Sequence, residues 1–91
     1  MKKVKNIKEI IDNALRNDKA IIGFKEAYKA LKNGLLEKII IAKNIDEYKL
    51  KDVMHNAKIL NTEIITFEGS SRELGILVGK PYTISAIGIK K

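Results

Sequence analysis

Ninety-one residues, 45% of them hydrophobic, suffice for one domain with a single core, and the absence of cysteine excludes both a disulfide framework and a thiolate metal site. The longest apolar runs are a few residues, short of the roughly 20 that cross a bilayer, and no apolar signal core follows the basic N-terminus, so a soluble, unprocessed protein suited to the cytosol is expected. The net charge of +7 is lopsided, because residues 1–45 carry eleven Lys or Arg against five Asp or Glu and residues 46–91 carry seven against six.

A one-sided basic surface is the footprint of a polyanion binder, since phosphates neutralised by lysine release their counterions; a lysine-rich surface that only keeps the protein soluble is the alternative. In chain order, Val4, Ile7, Ile11 and Ala14 or Leu15 recur at helical spacing and predict an amphipathic helix over 4–15. Ala20-Ile21-Ile22, closed by Gly23, reads as a short buried strand. Phe24, Ala27, Tyr28 and Leu31 then sit at i, i+3, i+4 and i+7, and Asn33-Gly34 is a left-handed helix stop. Ile39 to Ala42 is a second strand. A third helix runs from about Asp46 to Leu60 with Leu50, Val53, Met54 and Ala57 on one face, and Ile64 to Phe67 is a third strand. Ser70-Ser71-Arg72-Glu73 predicts a capping box that opens a fourth helix. Tyr82 to Ile89 reads as the last strand, with Gly88 as a weak or bulged point.

Strands separated by helices must be joined by crossovers, so the fold class is α/β: a three-layer α/β/α sandwich around a central mixed four-stranded sheet, one domain over residues 1–91. Ligands on such sheets gather beyond the strand ends, which singles out Gly23 to Lys25, Lys43 to Asn44, and Glu68 to Arg72. Lys25, Lys29 and Lys32 form a basic stripe without interspersed acids, which favours phosphate contact over a merely solvated face. Glu26 at the start of the same helix either complements the macrodipole or accepts a base amino group.

Other groups point away from catalysis. Gly79-Lys80-Pro81 has proline where a P-loop needs a hydroxyl, so nucleotide hydrolysis is rejected. Gly75 and Gly79, four apart, weaken a helix and imply that something needs a thin surface there or that the helix ends. His55 stands without a nucleophile or metal ligand beside it, and Asp46, Glu47 and Asp52 alternate with Lys49 and Lys51 as on a solvated face. Tyr82, at the entrance to the last strand, either stacks on an unpaired base or covers the core edge.

Three motifs together carry a resemblance: Gly23-Phe24-Lys25-Glu26 opening the lysine-striped helix; Ile39-Ile40-Ile41-Ala42-Lys43-Asn44; and Phe67-Glu68-Gly69-Ser70-Ser71-Arg72-Glu73-Leu74-Gly75 through Gly79-Lys80-Pro81-Tyr82. In order and spacing, over residues 4–89, they resemble the archaeal and eukaryotic large-subunit ribosomal protein L-thirty-e family, of the kink-turn RNA-binding superfamily. The resemblance implies a three-layer fold, no catalytic activity, no cofactor and no metal. It implies a cytoplasmic protein of the large ribosomal subunit that grips a sharply bent RNA loop carrying tandem sheared G·A pairs. Its partners would be ribosomal RNA and neighbouring ribosomal proteins, with neither membrane nor DNA, and it would be a monomer outside the ribosome.

By the same resemblance Lys25 and Glu26, beside Gly23 and Phe24, meet the G·A pairs, with Lys29 on nearby phosphates. Asn44 contacts the bulged nucleotides, and Tyr82, after Lys80, packs a ring on RNA. The loop Gly69, Ser70, Ser71, Arg72 and Glu73 covers a flipped-out base, with Leu74 and Gly75 allowing close approach. Members that serve guide-RNA particles usually carry Asn-Glu where this chain has Lys25-Glu26, which favours the ribosomal branch. Many L-thirty-e members continue beyond the last strand, whereas this sequence stops at Lys90-Lys91. The alternatives are a kink-turn protein of another ribonucleoprotein, of guide-RNA or RNase P type, and a small nucleotide-binding enzyme of the same architecture.

Overall fold

The computed structural model describes residues 7–91. Helices and strands alternate as α1 (Ile7–Arg16), β1 (Ala20–Ile22), α2 (Phe24–Lys32), β2 (Leu36–Ala42), α3 (Glu47–Leu60), β3 (Glu63–Phe67), α4 (Ser71–Leu77) and β4 (Ala86–Lys90). Val4, the expected start of the first helix, lies outside the described residues; within them Ile11 and Ala14 are buried and Leu15 is exposed. The strand order is β1-β4-β2-β3, with β4 antiparallel to both neighbours and β2 parallel to β3, which makes the sheet mixed.

The central strand β2 is covered on both faces, as its uninterrupted isoleucines require. Ile40 and Ala42 point with Ile65, Ile87 and Ile89 into a core closed by Ile11 of α1 and Leu74 of α4. Ile39 and Ile41 point the other way, with Ala86, into a core closed by Ala27 and Leu31 of α2 and by Val53 and Ala57 of α3. The period-2 alternation of β2 thus divides the helices into two layers and completes the sandwich.

The structure corrects three local expectations. Met54 is 53% exposed, because α3 meets the sheet along Leu50, Val53 and Ala57, and position 54 falls at the margin of that stripe. The last strand starts at Ala86 rather than Tyr82. Gly88 pairs regularly with Ile21 and Ile39, and the irregular register falls between Leu36 and Lys38 of β2 instead. A Cβ at Gly88 would lie 2.9 Å from both δ-methyls of Leu36 and 3.4 Å from Cβ of Ala27, so the glycine permits α2 to close on the sheet. The left-handed helix stop is as expected, with Gly34 at φ 71; a second one, Asn61 at φ 58, ends α3.

Candidate nucleic-acid interface

The exits of β1, β2 and β3 meet at one pole, and residues 84–86 tie them together through main-chain hydrogen bonds. Gly23 N–H donates to the Ala86 carbonyl (3.0 Å), Ala42 N–H donates to the Ser85 carbonyl (2.9 Å), and Ile84 N–H donates to the Ser71 carbonyl (2.9 Å). Lys43 N–H donates to the Gly69 carbonyl (3.0 Å), which joins the loop after β2 to the loop after β3. Asn44 adds a side-chain bond, since its Oδ1 accepts the Ser71 N–H at 2.8 Å. That bond engages the Asn44 oxygen as an acceptor, while its amide NH2 remains a donor.

At the start of α2, Gly23 holds φ 106, a conformation that favours glycine, and it offers no side-chain cap. The first-turn N–H groups of a helix have no intrahelical partner, so the amides of Phe24, Lys25 and Glu26 stand beside the exposed side chains of Lys25 and Glu26. Lys29 follows on the same face, and with Glu26 and Asn33 it rims a hollow along the edge strand β1. Lys32 lies about 10 Å farther along the axis than Lys25, with its ammonium 4.8 Å from the centre of the Tyr28 ring. The stripe is therefore real, but its last lysine leans on an aromatic ring rather than standing free. Phe24 offers no open ring for a base: it stacks on Tyr28 at 5.4 Å and carries the Lys49 ammonium at 5.0 Å.

The loop after β3 forms the expected capping box. Ser70 Oγ accepts Glu73 N–H at 3.2 Å, and Glu73 Oε1 accepts Ser70 N–H at 2.8 Å, which commits that carboxylate oxygen to the helix start. At Gly69 a Cβ would lie 2.7 Å from both the Glu73 carboxylate and the Phe67 ring, so a side chain there would have to displace the capping carboxylate or the ring. Leu74 is wholly buried in the core and so cannot touch a ligand. Gly75 is buried too; a Cβ there would overlap the Tyr82 carbonyl oxygen, so the close approach it permits is that of the chain's own returning loop. Gly79 at φ 77 turns that loop out of α4.

Beyond it, Arg72, Ile76, Lys80, Pro81, Tyr82 and Thr83 line a shallow hollow, with the Tyr82 side chain 57% exposed. The structure thus brings Lys25, Glu26, Asn44, Gly69, Ser70, Ser71 and the Arg72–Lys80–Tyr82 hollow to one pole, while Leu74 and Gly75 support it from inside. Sequence reasoning passed over Ile76, whose signal was an apolar residue four positions after Arg72 on a polar helix face. Lys49, expected on a solvated face, instead lies against the Phe24 ring, a contact that nothing local in the sequence signals. His55 is exposed on α3, away from this pole.

This pole offers cations, main-chain donors and the exposed rings of Tyr82 and of Tyr48 at the start of α3, which suits a polyanion with unstacked bases. Comparison with known proteins fits that chemistry. The model of the ribosomal protein L7Ae/L30e/S12e/Gadd45 family matches residues 5–91. The large ribosomal subunit protein eL30 of Sulfurisphaera tokodaii is 35% identical over 89 residues, 98% of this chain and 84% of that one. The eL30 of Pyrobaculum calidifontis is 37% identical over 76 residues, 84% of this chain and 75% of that one. Among solved structures, a protein of unknown function from Bacillus halodurans superposes with a TM-score of 0.79 over 92% of this chain and 83% of its own, at 19% identity, a likeness of fold alone.

Proposed function

The chain belongs to the ribosomal protein L7Ae/L30e/S12e/Gadd45 family, and from that membership we propose that it is a structural, non-enzymatic component of the large ribosomal subunit that binds kinked ribosomal RNA with one pole of its sheet. Its place is then the ribosome, in the cytoplasm, among ribosomal RNA and neighbouring ribosomal proteins, and it is a monomer before assembly. The observation that carries the finer reading is the junction at residues 84–86, which binds three loops into one surface and presents Lys25, Glu26, the Asn44 amide and the Tyr82 ring together. A straight duplex meets such a surface only at its phosphates. A sharply bent internal loop also offers base edges and an extruded base within reach of the same groups.

In this reading Lys25 and Lys29 neutralise phosphates, Glu26 accepts from base amino groups, and Asn44 donates to an acceptor on the bulged strand. Arg72, Lys80 and Tyr82 hold the extruded nucleotide, with Ser70 and Ser71 shaping the loop beneath it. The test is a gel shift of a kink-turn RNA against the same RNA with its G·A pairs replaced by Watson–Crick pairs, repeated across salt concentrations. The kinked RNA should bind at least tenfold more tightly, and its affinity should fall steeply with salt. Equal affinity for both RNAs would reduce the pole to a general polyanion surface.

A further inference from the structure

Asp46 sits at the N-cap of α3, where an aspartate ordinarily accepts a first-turn N–H, yet its side chain makes no such bond. Its carboxylate faces the Lys49 ammonium at 3.7 Å instead. That same ammonium lies 5.0 Å from the centre of the Phe24 ring, on the first residue of α2. We propose that Lys49 is a positioning residue for RNA recognition: by joining Asp46 to Phe24 it sets the spacing between Asn44 and the Lys25–Glu26 pair without touching RNA. The inference rests on the reading of this pole as an RNA interface.

Two further observations carry it. Phe24 cannot turn away from the ammonium freely, because its ring is stacked on Tyr28 at an interplanar angle of 14°. Tyr28 is itself held from α3, since Asn56 Nδ2 donates to its hydroxyl at 3.2 Å. Asn56 therefore fixes α3 on α2 farther from the pole, and Lys49 fixes it at the pole, three residues after Asp46 ends the loop that carries Asn44. Half-exposed pairs of this kind add little to global stability. An ammonium shared between a carboxylate and a ring face is directional, however, and here the direction runs from one recognition loop to another.

The experiment compares wild type, Lys49→Met, which keeps much of the aliphatic stem and loses the charge, and Lys49→Arg, which keeps both partners. In the free protein, amide hydrogen exchange is read at Lys43 and Ile45, whose N–H groups donate to the Gly69 carbonyl (3.0 Å) and the Ala42 carbonyl (3.2 Å). Lys49→Met should exchange severalfold faster at both amides while the sheet amides stay protected. It should also bind the kinked RNA about fivefold to tenfold more weakly, with unchanged salt slope and unchanged affinity for straight duplex. Lys49→Arg should restore both readouts.

Unchanged exchange in Lys49→Met overturns the proposal, as does acceleration of all sheet amides in step, which would make the effect one of stability. A salt slope reduced by about one would make Lys49 a phosphate ligand and overturn it as well. If wild type shows no preference for the kinked RNA, the RNA reading itself falls, and the exchange measurement still decides whether Lys49 orders the loop.

Discussion

Asn44 makes a prediction in which stability and binding move in opposite order. Its Oδ1 accepts the Ser71 N–H at 2.8 Å, and in the proposed reading its amide nitrogen is the donor offered to RNA. Asn44→Ala deletes both functions. Losing a solvent-accessible hydrogen bond of this type costs about 1 kcal/mol of stability, which for a domain this size lowers Tm by about 4–8 °C. Losing that donor costs about 1.5 kcal/mol of binding, a little over tenfold. Asn44→Asp keeps the acceptor and makes it an ionised one, so the bond to Ser71 is at least as strong and Tm should stay within about 2 °C of wild type. The group offered to RNA becomes an oxyanion facing phosphates, which removes the donor and adds repulsion, at least ~2 kcal/mol or about 30-fold in affinity. The aspartate variant should therefore be the more stable and the weaker binder. Thermal unfolding followed by circular dichroism, with fluorescence anisotropy on a labelled kink-turn RNA, reads both quantities. An Asn44→Asp protein that binds as well as Asn44→Ala would refute the assignment of Asn44 as a donor.

Two further substitutions separate support from contact. Gly75→Ala drives a Cβ into the Tyr82 carbonyl, so backbone must move; overpacking of this kind should cost about 1–3 kcal/mol, seen as a Tm lowered by more than about 4 °C, and binding should weaken because the Lys80–Tyr82 loop is displaced. Tyr82→Ala trims a ring that is more than half exposed, so stability should change by less than about 0.5 kcal/mol, while affinity for kinked RNA should fall by about 1–3 kcal/mol if the ring stacks on a base. Unchanged affinity would assign Tyr82 to the rim of the protein alone.

Much of this architecture was legible in the sequence, because it is written in local patterns. The apolar spacing of α2, the isoleucine run of β2 and the Ser70–Glu73 box each depend on residues within a turn or two of one another, and all three appear where expected. What escaped depends on contacts between distant segments. Gly88 looks like a flaw in a strand until Leu36 and Ala27 are seen over it, and Leu74 and Gly75 look like a recognition loop until the chain from Gly79 to Ser85 is seen to return across them. Phe24 likewise reads as an available ring from its position at a loop, and only Tyr28 and Lys49 show that it is taken. The three strand exits were legible as separate places; the junction that joins them was not, since it is made of main-chain groups that carry no residue signature.

That junction bears on the order in which the protein matures during synthesis. β4 comes last of the four strands along the chain but lies between β1 and β2 in the sheet. Until residues 84–90 have been made, β1 has no neighbour, β2 has one open edge, and Gly23, Ala42 and Ser71 lack the partners that draw their loops together. A nascent chain can form its early helices and the parallel β2–β3 pair but not the assembled pole. The pole is thus assembled only once residues 84–90 have been synthesised, and a chain cut before Ile84 would lack the junction that joins its three loops.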